Sequence, residues 1–204
     1  MEEALAKTYT SGLMPLEDHG DRSEKLLWSN CVSVKLMSFK EWDRIIRVIV
    51  KKSRIGAEKL HLVNQEYQQL RHHLWDVVPL QAFITEPCTQ WSDRDLITAV
   101  CAPVTIAYDI FEWDNFEFLK KELEGNHDLQ NDIDLFICGY QALAKEGFIV
   151  DLFWDENLVV TREGRLKYID SFIIDMSWRK SLRATSEGRF EKLKQLWTFP
   201  WFKN

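Results

Sequence analysis

The sequence predicts an α+β protein, rich in strands in its first half and helical in its second, on three observations. Val32, Val34 and Leu36 alternate with Ser33 and Lys35, the period of a half-buried strand, and residues 45–52 (I-I-R-V-I-V-K-K) follow as a second β-branched run. Leu60, Val63, Tyr67, Leu70 and Leu74 recur at helical spacing, as do Leu129, Ile133, Phe136, Ile137, Tyr140 and Leu143. Finally, Leu158-Val159-Val160 and Leu166, Tyr168 and Ile169 flank Arg162-Glu163-Gly164, a hairpin whose glycine supplies the reversal.

In order, residues 1–25 are polar, broken by Gly12, Pro15 and Gly20, and read as a loose lead-in. Strands are expected within 26–37 and 45–52, a helix over 56–75, and a strand over 77–85 entered through Pro79. A polar loop fills 86–95. Pro103 divides the apolar stretch 96–110, with 104–110 the expected strand. A charged helix over 115–124 ends at Gly125-Asn126. The amphipathic helix from Leu129 to Ala144 is stopped by Gly147. After the hairpin, 177–182 is polar and 190–197 reads as a short helix. Trp197, Phe199, Trp201 and Phe202 pack back on the fold or form a docking tail. The organisation is thus a lead-in (1–25), an N-lobe (26–113) and a reduced helical C-lobe (114–204).

With 204 residues, 46% hydrophobic, the chain fills one domain or two small lobes. Nine Trp and twelve Phe argue for a packed body and against disorder. A net charge of −6 gives no basic nucleic-acid face and does not favour anionic membranes. Cys31, Cys88, Cys101 and Cys138 are scattered, as free thiols of a cytoplasmic protein would be. No apolar run is long enough to span a membrane, and the acidic start M-E-E-A-L-A-K is not a secretory signal.

The hairpin also carries the chemistry. It brings the start of its first strand near the end of its second, so Asn157 and Asp170 should lie together. Asp151 or Asp155 sits on the loop just before. Such an oxygen-rich cluster suits a hard cation such as Mg²⁺, which keeps several waters.

This segment resembles the catalytic segment of the protein-kinase-like superfamily, in which H-R-D-x-x-x-x-N is followed by a hairpin and D-F-G. Asn157 matches the asparagine, and Asp170-Ser171-Phe172 stands where D-F-G would. The family spacing puts the catalytic aspartate at Leu152. Asp151 fits with a one-residue bulge at Phe153-Trp154, and Asp155 is its rival. Ile149-Val150 occupies the place of the histidine. Val48-Ile49-Val50-Lys51 looks like V-A-I-K, with Lys52 and Lys35 as rivals to Lys51. Glu66 matches the helix glutamate that holds this lysine, with Glu58 as its rival. The order of elements from Leu26 to Asp170 is similar too.

The resemblance implies a two-lobed kinase-like fold, close to small-molecule and lipopolysaccharide kinases, that transfers the ATP γ-phosphoryl group to a hydroxyl acceptor. Lys51 and Glu66 would serve the nucleotide phosphates. Asn157 and Asp170 would hold Mg²⁺, and Asp151 would take the acceptor proton. The sequence departs from the pattern in lacking G-x-G-x-x-G and A-P-E, and only 34 residues follow Asp170. These departures favour the alternatives: a non-catalytic, pseudokinase-type binding protein on the same fold, or an adaptor for a protein partner.

Overall fold

The alternation around Val34 forms a long hairpin, β2 (Cys31–Glu41) antiparallel to β3 (Arg44–Gly56), with Val34 opposite Lys51 and Leu36 opposite Ile49. The computed structural model describes residues 2–10, 15–21, 31–41, 44–87, 94–112, 115–153, 157–170 and 179–197. The chain divides into two units, residues 1–66 with 80–103 and residues 67–79 with 104–204.

In the first unit, β1 (Pro15–Asp21), β4 (Gln81–Pro87) and β5 (Asp95–Cys101) complete an antiparallel sheet of order β1-β2-β3-β5-β4. Phe39, Val48, Val50 and Val100 are the buried centre of one face. Leu5 and Tyr9 of α1 (Glu2–Thr10) pack against it. The Tyr9 hydroxyl donates to Glu86 Oε1 (3.0 Å), Thr98 Oγ1 donates to Glu86 Oε2 (2.6 Å), and Lys52 Nζ lies 3.5 Å from the same oxygen. The expected loose lead-in is therefore a helix and an edge strand. Leu5 and Tyr9, four apart, form one apolar stripe that the sheet partly buries.

The strand expected at 104–110 forms, and the apolar stretch before Pro103 holds a second one that was not expected. β5 is the inner strand, between β3 and β4, and Ile97–Cys101 are all buried. A strand covered on both faces reads as a continuous apolar run without alternation. Residues 106–109 form a separate short strand, β6 (Ile106–Asp109), which belongs to the second unit. Helix α2 (Leu60–Leu74) follows a 3₁₀ turn at Ala57–Lys59, within the expected range. The division between the units falls within it, after Glu66.

The second unit holds α3 (Asn115–Leu123), α4 (His127–Lys145), β7 (Leu158–Thr161), β8 (Leu166–Tyr168) and α5 (Arg179–Trp197). β6, β7 and β8 form an antiparallel sheet in that order. Helix α4 buries Leu129, Ile133, Phe136, Ile137, Tyr140 and Leu143, each stabilising by about 1.5–3 kcal/mol. Asn126 caps it by accepting from Leu129 N (3.0 Å), and its Nδ2 donates to Gly164 O (2.9 Å). Gly164 has φ +68°, and a Cβ there would sit 2.4 Å from Asn126 Nδ2. The glycine anticipated for the turn thus also lets the hairpin seat on the start of α4.

Helix α5 begins well before the expected 190–197. Its inward positions are Ser186, Phe190, Leu193 and Leu196. The apolar stripe starts only at Phe190, which stacks on Tyr140 at 3.9 Å, so the polar first turns gave no helical signal. Phe199, Trp201 and Phe202, expected above to pack back or form a tail, lie outside the described residues. Among the described residues no helix is long and apolar enough to cross a membrane.

Two helical glycines give a paired prediction. A Cβ on Gly139 would lie 2.5 Å from His73 O and 2.6 Å from Leu74 Cδ2, whereas one on Gly188 meets nothing within 4 Å. Gly139→Ala is expected to cost about 1–3 kcal/mol by overpacking. Gly188→Ala is expected to stabilise by roughly 0.5–1 kcal/mol through helix propensity. Denaturant melts of the two variants check the opposite signs.

Candidate functional site

The candidate site is built at the end of β8 and on the loop between α4 and β7. Gly147 (φ +81°) ends α4, and Phe148 N donates back to Leu143 O (2.8 Å). The chain then alternates: Phe148, Val150 and Leu152 are buried, while Ile149, Asp151 and Phe153 are half-buried. This period of two keeps Asp151 off the side that packs into the core.

Local hydrogen bonds hold the loop. Asp151 Oδ1 accepts from Phe153 N (2.8 Å), and Asn157 Nδ2 donates to Asp151 O (2.9 Å), closing the loop from 151 to 157. Ile169 N donates to Asn157 O (2.9 Å), one step beyond the Leu158–Tyr168 pair of the β7–β8 ladder. Asn157 is thereby set beside the segment that ends in Asp170. Asp151, Asn157 and Asp170 are brought together as the hairpin argument expects. The rival Asp155 lies outside the described residues.

Helix α5 braces the same loop. Leu152 N donates to the buried Ser186 Oγ (3.0 Å). Arg189 Nη1 donates to Leu152 O (2.7 Å) and Phe153 O (2.5 Å), and its guanidinium lies 5.1 Å from the centre of the Phe111 ring. Sequence reasoning missed both residues. They are separated from the loop by 34 to 37 positions, and no local spacing points to them.

The two carboxylates feel each other. Burial, and then the Asp170 charge, push Asp151 up to about 7, against the smaller opposing pull of Phe153 N–H and Arg189. Tyr168 is fully buried on β8. Asp170 and the backbone of Asp151 lie within hydrogen-bonding reach of its hydroxyl. Burial first, then Asp170 and Asp151, raise it well above the usual tyrosine range. Tyr168 was read only as part of an apolar run. The signal was a tyrosine at an inward strand position, since a buried phenol needs a partner.

Lys51 and Glu66 belong to the first unit. Lys51 lies within β3, opposite Val34 on one side and Ala99 on the other. Glu66 is on α2, half-buried, with Oε2 shielded from solvent. Their rivals Lys52 and Glu58 are exposed, and Lys52 faces Glu86.

Two carboxylates and an asparagine amide are oxygen donors, the chemistry that Mg²⁺ accepts. Among the described residues no group of three or more His, Cys, Asp or Glu that could hold a metal ion gathers. No protein-family model matches this sequence, and no curated protein matches it either.

Proposed function

We propose that the chain is an ATP- and Mg²⁺-dependent phosphotransferase of the kinase-like kind, acting on a hydroxyl acceptor. The observation that carries the reading is the meeting of Asp151, Asn157 and Asp170 at the open end of the β7–β8 hairpin. In this reading Asn157 and Asp170 would hold Mg²⁺, which when bound would neutralise the phosphate charge. Lys51 contacts the nucleotide phosphates and Glu66 orients Lys51.

Asp151 orients the acceptor hydroxyl. Its oxygen bonds to the γ-phosphorus as the bond to ADP breaks, and the hydroxyl proton passes to Asp151. A carboxylate raised toward neutrality is a stronger proton acceptor than an ordinary one, and a general base works best with its pKa near the working pH. Positioning supplies most of the remaining effect, which is where the Ser186 and Arg189 brace on the loop matters. ATP dependence and the scattered thiols suit the cytoplasm.

A second reading, nucleotide binding without catalysis, is favoured by one observation. Asp151 stands six residues before Asn157 where the family has five, and one of its oxygens is engaged by Phe153 N. Turnover separates the two. The first reading expects Mg²⁺-dependent ATP turnover that Asp151→Asn lowers by about 10²–10⁴-fold while nucleotide binding persists. Binding with no turnover in the wild-type chain would select the second.

A further inference from the structure

We infer that Arg189 is the positioning residue of Asp151, holding its carboxylate in place through the single peptide that joins Leu152 to Phe153. The inference rests on the phosphotransfer reading above and deepens it.

That peptide is gripped at both ends. Its carbonyl, Leu152 O, accepts from Arg189 Nη1 (2.7 Å), and its N–H, on Phe153, donates to Asp151 Oδ1 (2.8 Å). A hydrogen bond from a cation is stronger than a neutral one, and bonds in a chain polarise one another. The guanidinium draws electron density toward Leu152 O, which makes the Phe153 N–H a better donor to the carboxylate. The same Nη1 donates to the next carbonyl, Phe153 O (2.5 Å), so the loop is fixed on both sides of Phe153.

Arg189 is itself held. It is half-buried on α5, and the Phe111 ring lies against its guanidinium, 5.1 Å from centre to charge. Ser186, three positions earlier on the same helix face, is buried and accepts from Leu152 N (3.0 Å). One face of α5 thus grips the two peptides that follow Asp151. The grip has a purpose at this position, because Asp170 repels the Asp151 charge. The Phe153 N–H and Arg189 are the two influences that favour the ionised Asp151 against burial and Asp170. A proton acceptor must be both charged and oriented, and a misplacement of about 1 Å costs on the order of 100-fold in rate.

Arg189→Gln and Arg189→Lys in the full chain test this. The first removes the charge, and the second keeps a cation that can donate to both carbonyls. Three quantities are read: the Phe153 amide proton shift in a chain labelled with ¹⁵N-phenylalanine, kcat and KM for ATP in Mg²⁺-dependent turnover, and the melting temperature. Arg189→Gln is expected to move the Phe153 amide upfield and to lower kcat by about 10²-fold with KM unchanged, and Arg189→Lys to regain most of both. A merely structural arginine would lower the melting temperature and leave the Phe153 amide and kcat as in the wild type, which would overturn the inference and leave the phosphotransfer reading intact. An equal loss of kcat in the two variants would also overturn it, since the cation would then not be what acts. No turnover by the wild-type chain would overturn the phosphotransfer reading, and the amide shift would then decide alone whether Arg189 holds Asp151. If Arg189→Gln does not fold, Phe111→Leu takes its place. It removes only the ring against the guanidinium, and a smaller upfield shift of the Phe153 amide is expected; an unmoved amide would overturn the inference.

Discussion

Replacing Arg165 with methionine is expected to cost about 3 kcal/mol of folding stability. Asp132 on α4 is the reason. Its side chain is only 7% exposed, and it receives two parallel bonds from Arg165, Nε to Oδ2 (2.7 Å) and Nη2 to Oδ1 (2.8 Å), plus Leu166 N (3.0 Å). Removing the guanidinium leaves a buried carboxylate with one backbone donor. The opposite substitution, Asp132→Asn, should cost less, about 1–2 kcal/mol. Arg165, 38% exposed, can turn to water, so the chief loss is the charge-assisted bond and good geometry at Leu166 N. Urea denaturation of both variants measures the asymmetry. Equal costs would show that burial of Asp132 is not the controlling factor. The pair ties α4 to the start of β8, and so to the strand that leads into Asp170.

The second large effect is a pH dependence carried by Asp151. Its folded pKa of about 7 lies above the ordinary value of 3.8, so the folded state prefers the protonated acid. Stability from this group is full below about pH 4, falls as pH rises through 7, and is flat above. Across that window the unfolded chain has released a proton that the folded chain keeps, which gives the negative slope. The loss is about 2–4 kcal/mol, less than the full conversion because Asp170 shares the proton. Asp151→Asn should abolish this component and be the more stable protein at pH 8. The readout is the difference between wild-type and variant melts from pH 4 to 8, since other carboxylates contribute to both. A flat difference curve would mean that Asp151 is ordinarily ionised in the fold. The price of this acidic pair is what one expects where function holds two carboxylates together against their repulsion.

These effects arise where local pattern and long-range packing meet, and the sequence was legible to different degrees on each side. The hairpin was readable because its two β-branched runs and Gly164 act over a few residues. From it the approach of Asn157 and Asp170 followed by geometry alone. Helices α2 and α4 were readable from an unbroken apolar stripe. Lys51 and Glu66 fall on the strand and helix expected of them. Helix α1 was hidden because its stripe is only Leu5 and Tyr9, and its stability comes from a sheet formed by residues 30 to 95 positions later. β5 was passed over because an inner strand has no alternation. Ser186 and Arg189 were invisible because their partners are backbone groups of Leu152 and Phe153, which carry no side-chain signature. Tyr168 was passed over because an aromatic in a strand reads as core.

The most direct measurement of the central claim is the melting temperature of the full chain with and without ATP and Mg²⁺, in the wild type and in Asp170→Asn. At a ligand concentration 100 times the dissociation constant the stabilisation is about 2.7 kcal/mol, which for a chain of this size is roughly 5–10 °C. The account predicts a rise that needs both ATP and Mg²⁺ and is lost in Asp170→Asn, whose unliganded melting temperature stays near that of the wild type. No rise at saturating nucleotide, or an equal rise in Asp170→Asn, would contradict it.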